Sequence, residues 1–201
     1  MILAPSRGAV SRLASLLVAI CLCAGVAAAM ALRLALAPAT RGSSPAAVVV
    51  FSGALLLLAV VAGWRPSRPT WQGAIVGLAG AAVLCALPVW SRISGHNLGG
   101  WGPWSMFAGF AGGVVLVSVA EEVLLRGALY DAVAAARGEP AAVLVAAIAF
   151  GLLHVPLYGW AALPLDLAVG VWLGGLRMLS GGVTAPAAAH AAADVAAWWL
   201  W

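Results

Sequence analysis

The sequence predicts an all-α fold, a polytopic transmembrane helical bundle of about seven spans. Three observations carry this. Of the 201 residues, 65% are hydrophobic and only 8% charged, with a mean hydropathy of +1.09; a soluble domain carries about three times that share of charge. Apolar runs long enough to cross a hydrocarbon core, about 18 to 20 residues each, recur along the chain. They are separated by short breaks rich in Pro, Gly and Arg, namely PATRGSSP, RPSRPT, SRISGHNLGGWGP, RGEP, PLYG and SGG. Such breaks leave no room for a soluble domain, so 1–201 reads as a single integral-membrane domain.

The candidate spans are 13–35, 46–64, 73–90, 104–136, 140–157, 160–179 and 183–201. The first, LASLLVAICLCAGVAAAMAL after Arg7 and Arg12, imitates a secretory signal, down to a small-residue AAA near its end. Its apolar run is longer than a typical cleaved signal core, so it reads as a retained first span. The second and third show only that they are hydrophobic. The fourth is 33 residues, a helix of about 50 Å if continuous, against a hydrocarbon core of about 30 Å. It must protrude, tilt or break, and Gly127 is the natural place. The fifth and sixth are bounded by RGEP, PLYG and SGG, and the seventh closes on Trp198, Trp199 and Trp201, as interfacial aromatics do.

An odd number of spans puts the two ends on opposite sides. Arg7, Arg12, Arg65, Arg68, Arg137 and Arg177 then fall on the N-terminal side, against Arg33, Arg41 and Arg92 on the other, which predicts a cytoplasmic N-terminus. Every basic residue is Arg, which with the abundant Ala and Gly reflects a GC-rich genome rather than nucleic-acid recognition, and no nucleic-acid partner is expected. Cys21, Cys23 and Cys85 all sit in apolar runs and are odd in number, so neither a disulfide framework nor a zinc-finger spacing is present, and they are expected to be buried and inert.

Against this background the stretch AEEVLLR places three charges inside an apolar helix. Ionisable residues within membrane helices cost a few kcal/mol each on insertion scales and normally mark a function or a partner. Glu121, Glu122, Arg126, His154, His190 and Asp194 need explaining, with Asp166 as a seventh. Glu122 and Arg126 are four apart in the favourable acid-before-base order and can pair. Glu121 points about 100° away and lacks that partner. With a turn centred on Gly138, antiparallel helices set residue 122 opposite residue 154, each about 24 Å from the turn. His190 and Asp194 in HAAAD project from one helix face, surrounded by Ala that admits close neighbours. Three helices can thus bring Glu, His, His and Asp to one buried point. Such a set suits hydrolysis inside the membrane, with a Glu as general base towards water and His residues orienting it or stabilising an oxyanion. Glu121, His154 and His190 could instead hold a zinc ion, which would activate the water; the residues alone leave both open.

The segments EEVLLR (Glu121, Glu122, Arg126), FGLLH (Phe150, His154) and HAAAD (His190, Asp194) resemble, in order and in helical placement, the EExxxR, FxxxH and HxxxN/D motifs of the CAAX protease and bacteriocin-processing (Abi) family. The resemblance covers about 104–201, the motif-bearing half. It implies an intramembrane endopeptidase, glutamic or metal-dependent, acting on a membrane-associated protein or peptide: a CAAX-like C-terminus, a bacteriocin leader or a C-terminal sorting tail. It further implies that Glu121 activates water with His154, that His190 and Asp194 form the oxyanion side, and that Glu122, Arg126 and Phe150 support the site. No cofactor is implied with certainty. Asp194 stands where the eukaryotic CAAX-processing relatives carry Asn; an Asp donates a hydrogen bond only when it carries a proton, so Asp194 is either protonated or plays a different part. The expected setting is a bacterial inner membrane.

The blander readings are an ordinary loop residue for His96 and a packing or accessory polar residue for Asp166. Two other functions use similar residues. A proton-coupled transporter would also bury Glu, His and Asp, but would show internal repeats or paired broken helices, and none is visible. A non-catalytic membrane immunity or partner protein of the same fold would tolerate loss of Glu121.

Overall fold

A computed structural model describes residues 7–37, 39, 44–94 and 103–200; Arg41, His96 and Trp201 lie outside these. Every regular element among the described residues is a helix. Helix α1 is Arg7–Leu36, α2 Pro45–Val61, α3 Trp71–Ile93 and α4 Trp104–Glu122. Helix α4 runs through a π-helical segment, Val123–Leu129, straight into α5, Tyr130–Arg137. Helix α6 (Glu139–Tyr158) leads through a 3₁₀ turn (Trp160–Ala162) to α7, Leu163–Ser180, and α8 is Thr184–Leu200.

The breaks read from the sequence are where the chain turns. Ser44 accepts a hydrogen bond from the Ala47 N–H (3.3 Å), with Pro45 opening α2, the arrangement in which Pro loses no helical bond. Gly138 takes φ of +85° between α5 and α6, and Gly181 takes +68° at the end of α7. Both conformations are costly for residues with a Cβ, and they let α5–α6 and α7–α8 double back within a few residues.

Among the described residues, four helices are long and apolar enough to cross a membrane: Ser11–Leu36, Trp104–Arg137, Glu139–Tyr158 and Trp160–Ser180. Pro45–Val61 and Trp71–Ala86 are shorter apolar helices. The outward faces carry Leu57, Val61 and Leu179, the last 80% exposed. An outside this apolar, over a core holding Glu121, Glu122 and Arg126, is the inside-out arrangement of a protein dissolved in lipid.

Three expectations are corrected. The fourth run does not break at Gly127. It stays helical by widening into π turns, and Gly127 is small because the Trp64 ring lies against it: a Cβ there would come within 2.7 Å of Trp64 Cε2. The cysteines are not buried; Cys21 is exposed and Cys23 and Cys85 are half-buried, which an apolar solvent permits. Arg33 does not flank a span but is buried within α1, its guanidinium over the Phe51 ring at 4.8 Å. Trp198 and Trp199, expected at an interface, also pack internally with Phe107, Phe110 and Trp104 from α4.

Small residues set how closely the site-bearing helices approach. On the α3–α8 seam a Cβ at Gly77 would lie 2.5 Å from the Ala185 carbonyl oxygen, and on the α6–α7 seam a Cβ at Gly170 would lie 2.8 Å from Ala147 Cα. Backbone cannot move aside as a flexible side chain can. Packing of this kind is what holds helices together where the surrounding solvent is itself apolar.

Candidate active site

The centre of the site is a buried pair on one turn of helix. Arg126 donates from Nη1 to Glu122 Oε1 at 2.7 Å, both side chains fully buried, the i, i+4 contact that the spacing predicts. The same guanidinium donates from Nη2 to the Gly170 carbonyl on α7 at 3.0 Å and lies over the Phe150 ring of α6 at 4.9 Å. One side chain therefore ties three helices together. Positions 126 and 150 mirror one another about Gly138, so the turn arithmetic that set 122 against 154 holds one turn nearer the loop.

Glu122 Oε1 has a second donor. His190 Nδ1 lies 2.9 Å from it, and because that oxygen belongs to a carboxylate already paired with Arg126, the proton sits on Nδ1. His190 Nε2 turns to Asp194 Oδ2 at 3.5 Å. Ser118 Oγ is 2.7 Å from the same Oδ2 and 2.7 Å from the Val114 carbonyl oxygen. Arg126, Glu122, His190, Asp194 and Ser118 thus form one continuous polar chain from the core towards the edge of the site, where the Asp194 side chain is 38% exposed.

His154 is placed differently. Its Nδ1 lies 2.8 Å from the Phe150 carbonyl oxygen, four residues back. A carbonyl only accepts, so Nδ1 carries a hydrogen and Nε2 is the nitrogen that this contact leaves open. The ring is sandwiched between Phe150 (4.3 Å) and the parallel ring of Tyr158 (5.7 Å), and Phe150 also meets His190 edge-on at 5.3 Å. Phe150 is the wall shared by both histidines and the arginine.

Glu121 is 2% exposed, and its Oε2 is buried without a hydrogen-bond partner among the described residues. His154, His190, Asp194 and Glu122 all lie within electrostatic reach of it. The Oε2 of Glu122 is likewise buried without a partner, but its Oε1 is held by a guanidinium and an imidazole, whereas Glu121 lies within electrostatic reach of the histidines without such a clamp. His190 binds Glu122 rather than Glu121, so the polar chain approaches Glu121 from the side instead of enclosing it. Asp166, on the first turn of α7, is within electrostatic reach of His154 but outside that chain.

A metal at Glu121, His154 and His190 fits poorly. No group of three His, Cys, Asp or Glu among the described residues is arranged to hold one. His190 Nδ1 is already committed to Glu122, and its Nε2 lies 3.5 Å from Asp194 Oδ2.

Sequence reasoning missed Ser118 and Gly170. Ser118 lies three and four residues before the glutamates and so on their side of the helix, a signal that could have been read. Gly170 acts through its carbonyl, which no side-chain pattern reveals.

Residues 103–196 match the family model described as type II CAAX prenyl endopeptidase Rce1-like. The matched stretch is similar to an Rce1-like domain. It runs from the start of α4 nearly to the end of α8, so every residue of the polar chain lies within it, while α1 to α3 lie outside. No curated protein and no solved structure matches the chain. The likeness, on helices apolar enough to span a bilayer, is to CAAX-type membrane proteases in general.

The close α6–α7 approach is what brings the Gly170 carbonyl to Arg126. Gly170→Val is expected to force those helices apart, costing about 1–3 kcal/mol and lowering both the thermal midpoint and turnover. Gly175→Ala on the same helix, with open space at its Cβ position, should change neither. Thermal unfolding of the two variants in detergent checks this.

Proposed function

We propose that the chain is an intramembrane glutamic endopeptidase of the inner membrane in which Glu121 is the general base. One observation carries the reading: of two adjacent buried glutamates, one is neutralised by Arg126 and His190 and the other is left facing His154, His190 and Asp194. A water between Glu121 and His154 would donate to His154 Nε2, the nitrogen left open by the Phe150 carbonyl, and give its other proton to Glu121 as its oxygen attacks the peptide carbonyl. The oxyanion forms on the His190–Asp194 side, where a doubly protonated His190, donating from Nδ1 to Glu122, has a second hydrogen on Nε2 that can reach it. Collapse breaks the C–N bond and Glu121 returns its proton to the leaving amine, so atoms and charge balance.

The substrate enters past Asp194 and His154, the partly exposed members of the set. It is a membrane-associated protein or peptide; CAAX-like C-termini, peptide leaders and C-terminal sorting tails all present such a bond near the lipid surface. The site-bearing half is α4 to α8, the N-terminus is cytoplasmic, and the setting is bacterial.

The test is cleavage by the purified protein in nanodiscs of a panel of lipid-anchored and membrane-spanning peptides, with product masses read by mass spectrometry. Cleavage of at least one class is expected, with the rate unchanged by a strong chelator. Loss of activity in chelator with recovery on added zinc would replace the glutamic mechanism by a metal-dependent one. No cleavage of any class would favour a non-catalytic partner protein.

A further inference from the structure

Asp194 Oδ2 is claimed from two sides. Ser118 Oγ is at 2.7 Å and His190 Nε2 at 3.5 Å, so the hydroxyl has the hydrogen-bond contact and the imidazole stands off beyond it. Ser118 is fully buried, and its Oγ is also anchored 2.7 Å from the Val114 carbonyl on its own helix. The hydroxyl has a single hydrogen; donated to Oδ2, it holds the Asp194 carboxylate where it is. His190 cannot close the gap from its side either, because Nδ1 is bound to Glu122, which is bound in turn to Arg126.

We propose that Ser118 is a positioning residue that holds Asp194 away from His190 Nε2 and so keeps that nitrogen available to the substrate oxygen. The proposal rests on the peptidase reading above. Without the hydroxyl, the Asp194 carboxyl swings onto Nε2, and the two groups that should serve the substrate satisfy one another. A carboxyl needs this restraint more than an amide would, because a carboxylate oxygen is the stronger acceptor for an imidazole N–H. Ser118 thereby lets an Asp serve at this position: the serine occupies the oxygen that would otherwise bind His190.

Ser118→Ala and Ser118→Thr are to be compared with wild type in nanodiscs by two readouts. The first is turnover of a cleaved peptide. The alanine variant is expected to lose about tenfold in kcat, the size of one hydrogen-bond energy of about 1.4 kcal/mol, with KM within about twofold; the threonine variant, which keeps the hydroxyl, should recover most of it. The second is the ¹⁵N spectrum of histidine-labelled protein, with His190 assigned by its loss in His190→Gln. In Ser118→Ala the His190 Nε2 resonance should move while both His154 nitrogens stay. An unmoved Nε2, equal movement at His154, or full kcat in the alanine variant would each overturn the proposal. If wild type cleaves no peptide, the peptidase reading fails on its own, and the spectrum still decides whether Ser118 restrains Asp194.

Discussion

Glu121→Gln is expected to lower kcat by about 10²–10⁴-fold and to leave the thermal midpoint equal to or above that of wild type. The first half follows from the role: glutamine keeps the shape but cannot take a proton from water. The second half follows from the surroundings. Glu121 Oε2 is buried without a hydrogen-bond partner among the described residues, and the carboxyl stands beside Glu122 and Asp194. Holding an acid in that place costs stability, as catalytic groups commonly do, and an amide removes the charge repulsion. KM for the best peptide should stay within about threefold, since the base contributes to the transition state rather than to binding. Paired measurements of kcat and of unfolding on one preparation check both halves. Glu121→Gln with wild-type turnover would remove Glu121 from the chemistry, and a lowered midpoint would make it a packing residue like its neighbour.

The architecture was legible in the sequence because a membrane helix is announced by length and composition, and its ends by glycines such as Gly138 and Gly181 that only a turn requires. The Glu122–Arg126 pair was legible from spacing alone, and the depth match of the fourth and fifth spans from counting about Gly138. Three things were not. The π-helical winding of Val123–Leu129, with the Trp64 ring against Gly127, has no signal in the local sequence. The preference of His190 for Glu122 over Glu121 is decided by which face α8 presents to α4, a matter of a fraction of a turn that helical arithmetic along one chain cannot resolve. The exposure of Cys21 on the outer surface escaped because, in lipid, burial inside the protein and burial in the bilayer have the same sequence signature.

Arg126→Ala is expected to be the most destabilising single change in the site, costing about 3–5 kcal/mol, the range for removing one partner of a buried pair. The loss is compound. Glu122 would keep only His190 as a partner for its charge, the Gly170 carbonyl would lose its donor, and Phe150 would lose the cation over its ring at 4.9 Å. Arg126→Lys separates these contributions: it keeps the charge for Glu122, but an ammonium lacks the planar fork that reaches Glu122 and Gly170 together. Its midpoint should therefore fall between wild type and alanine. Activity should fall with stability in both variants, the reverse of the pattern at Glu121, where activity is lost and stability is not. Unfolding by heat in detergent, followed by helical circular dichroism, orders the four proteins. A midpoint for Arg126→Ala within about 1 kcal/mol of wild type would mean that Glu122 does not rely on the arginine, and the division of labour between the adjacent glutamates would then have to be drawn afresh from His190 alone.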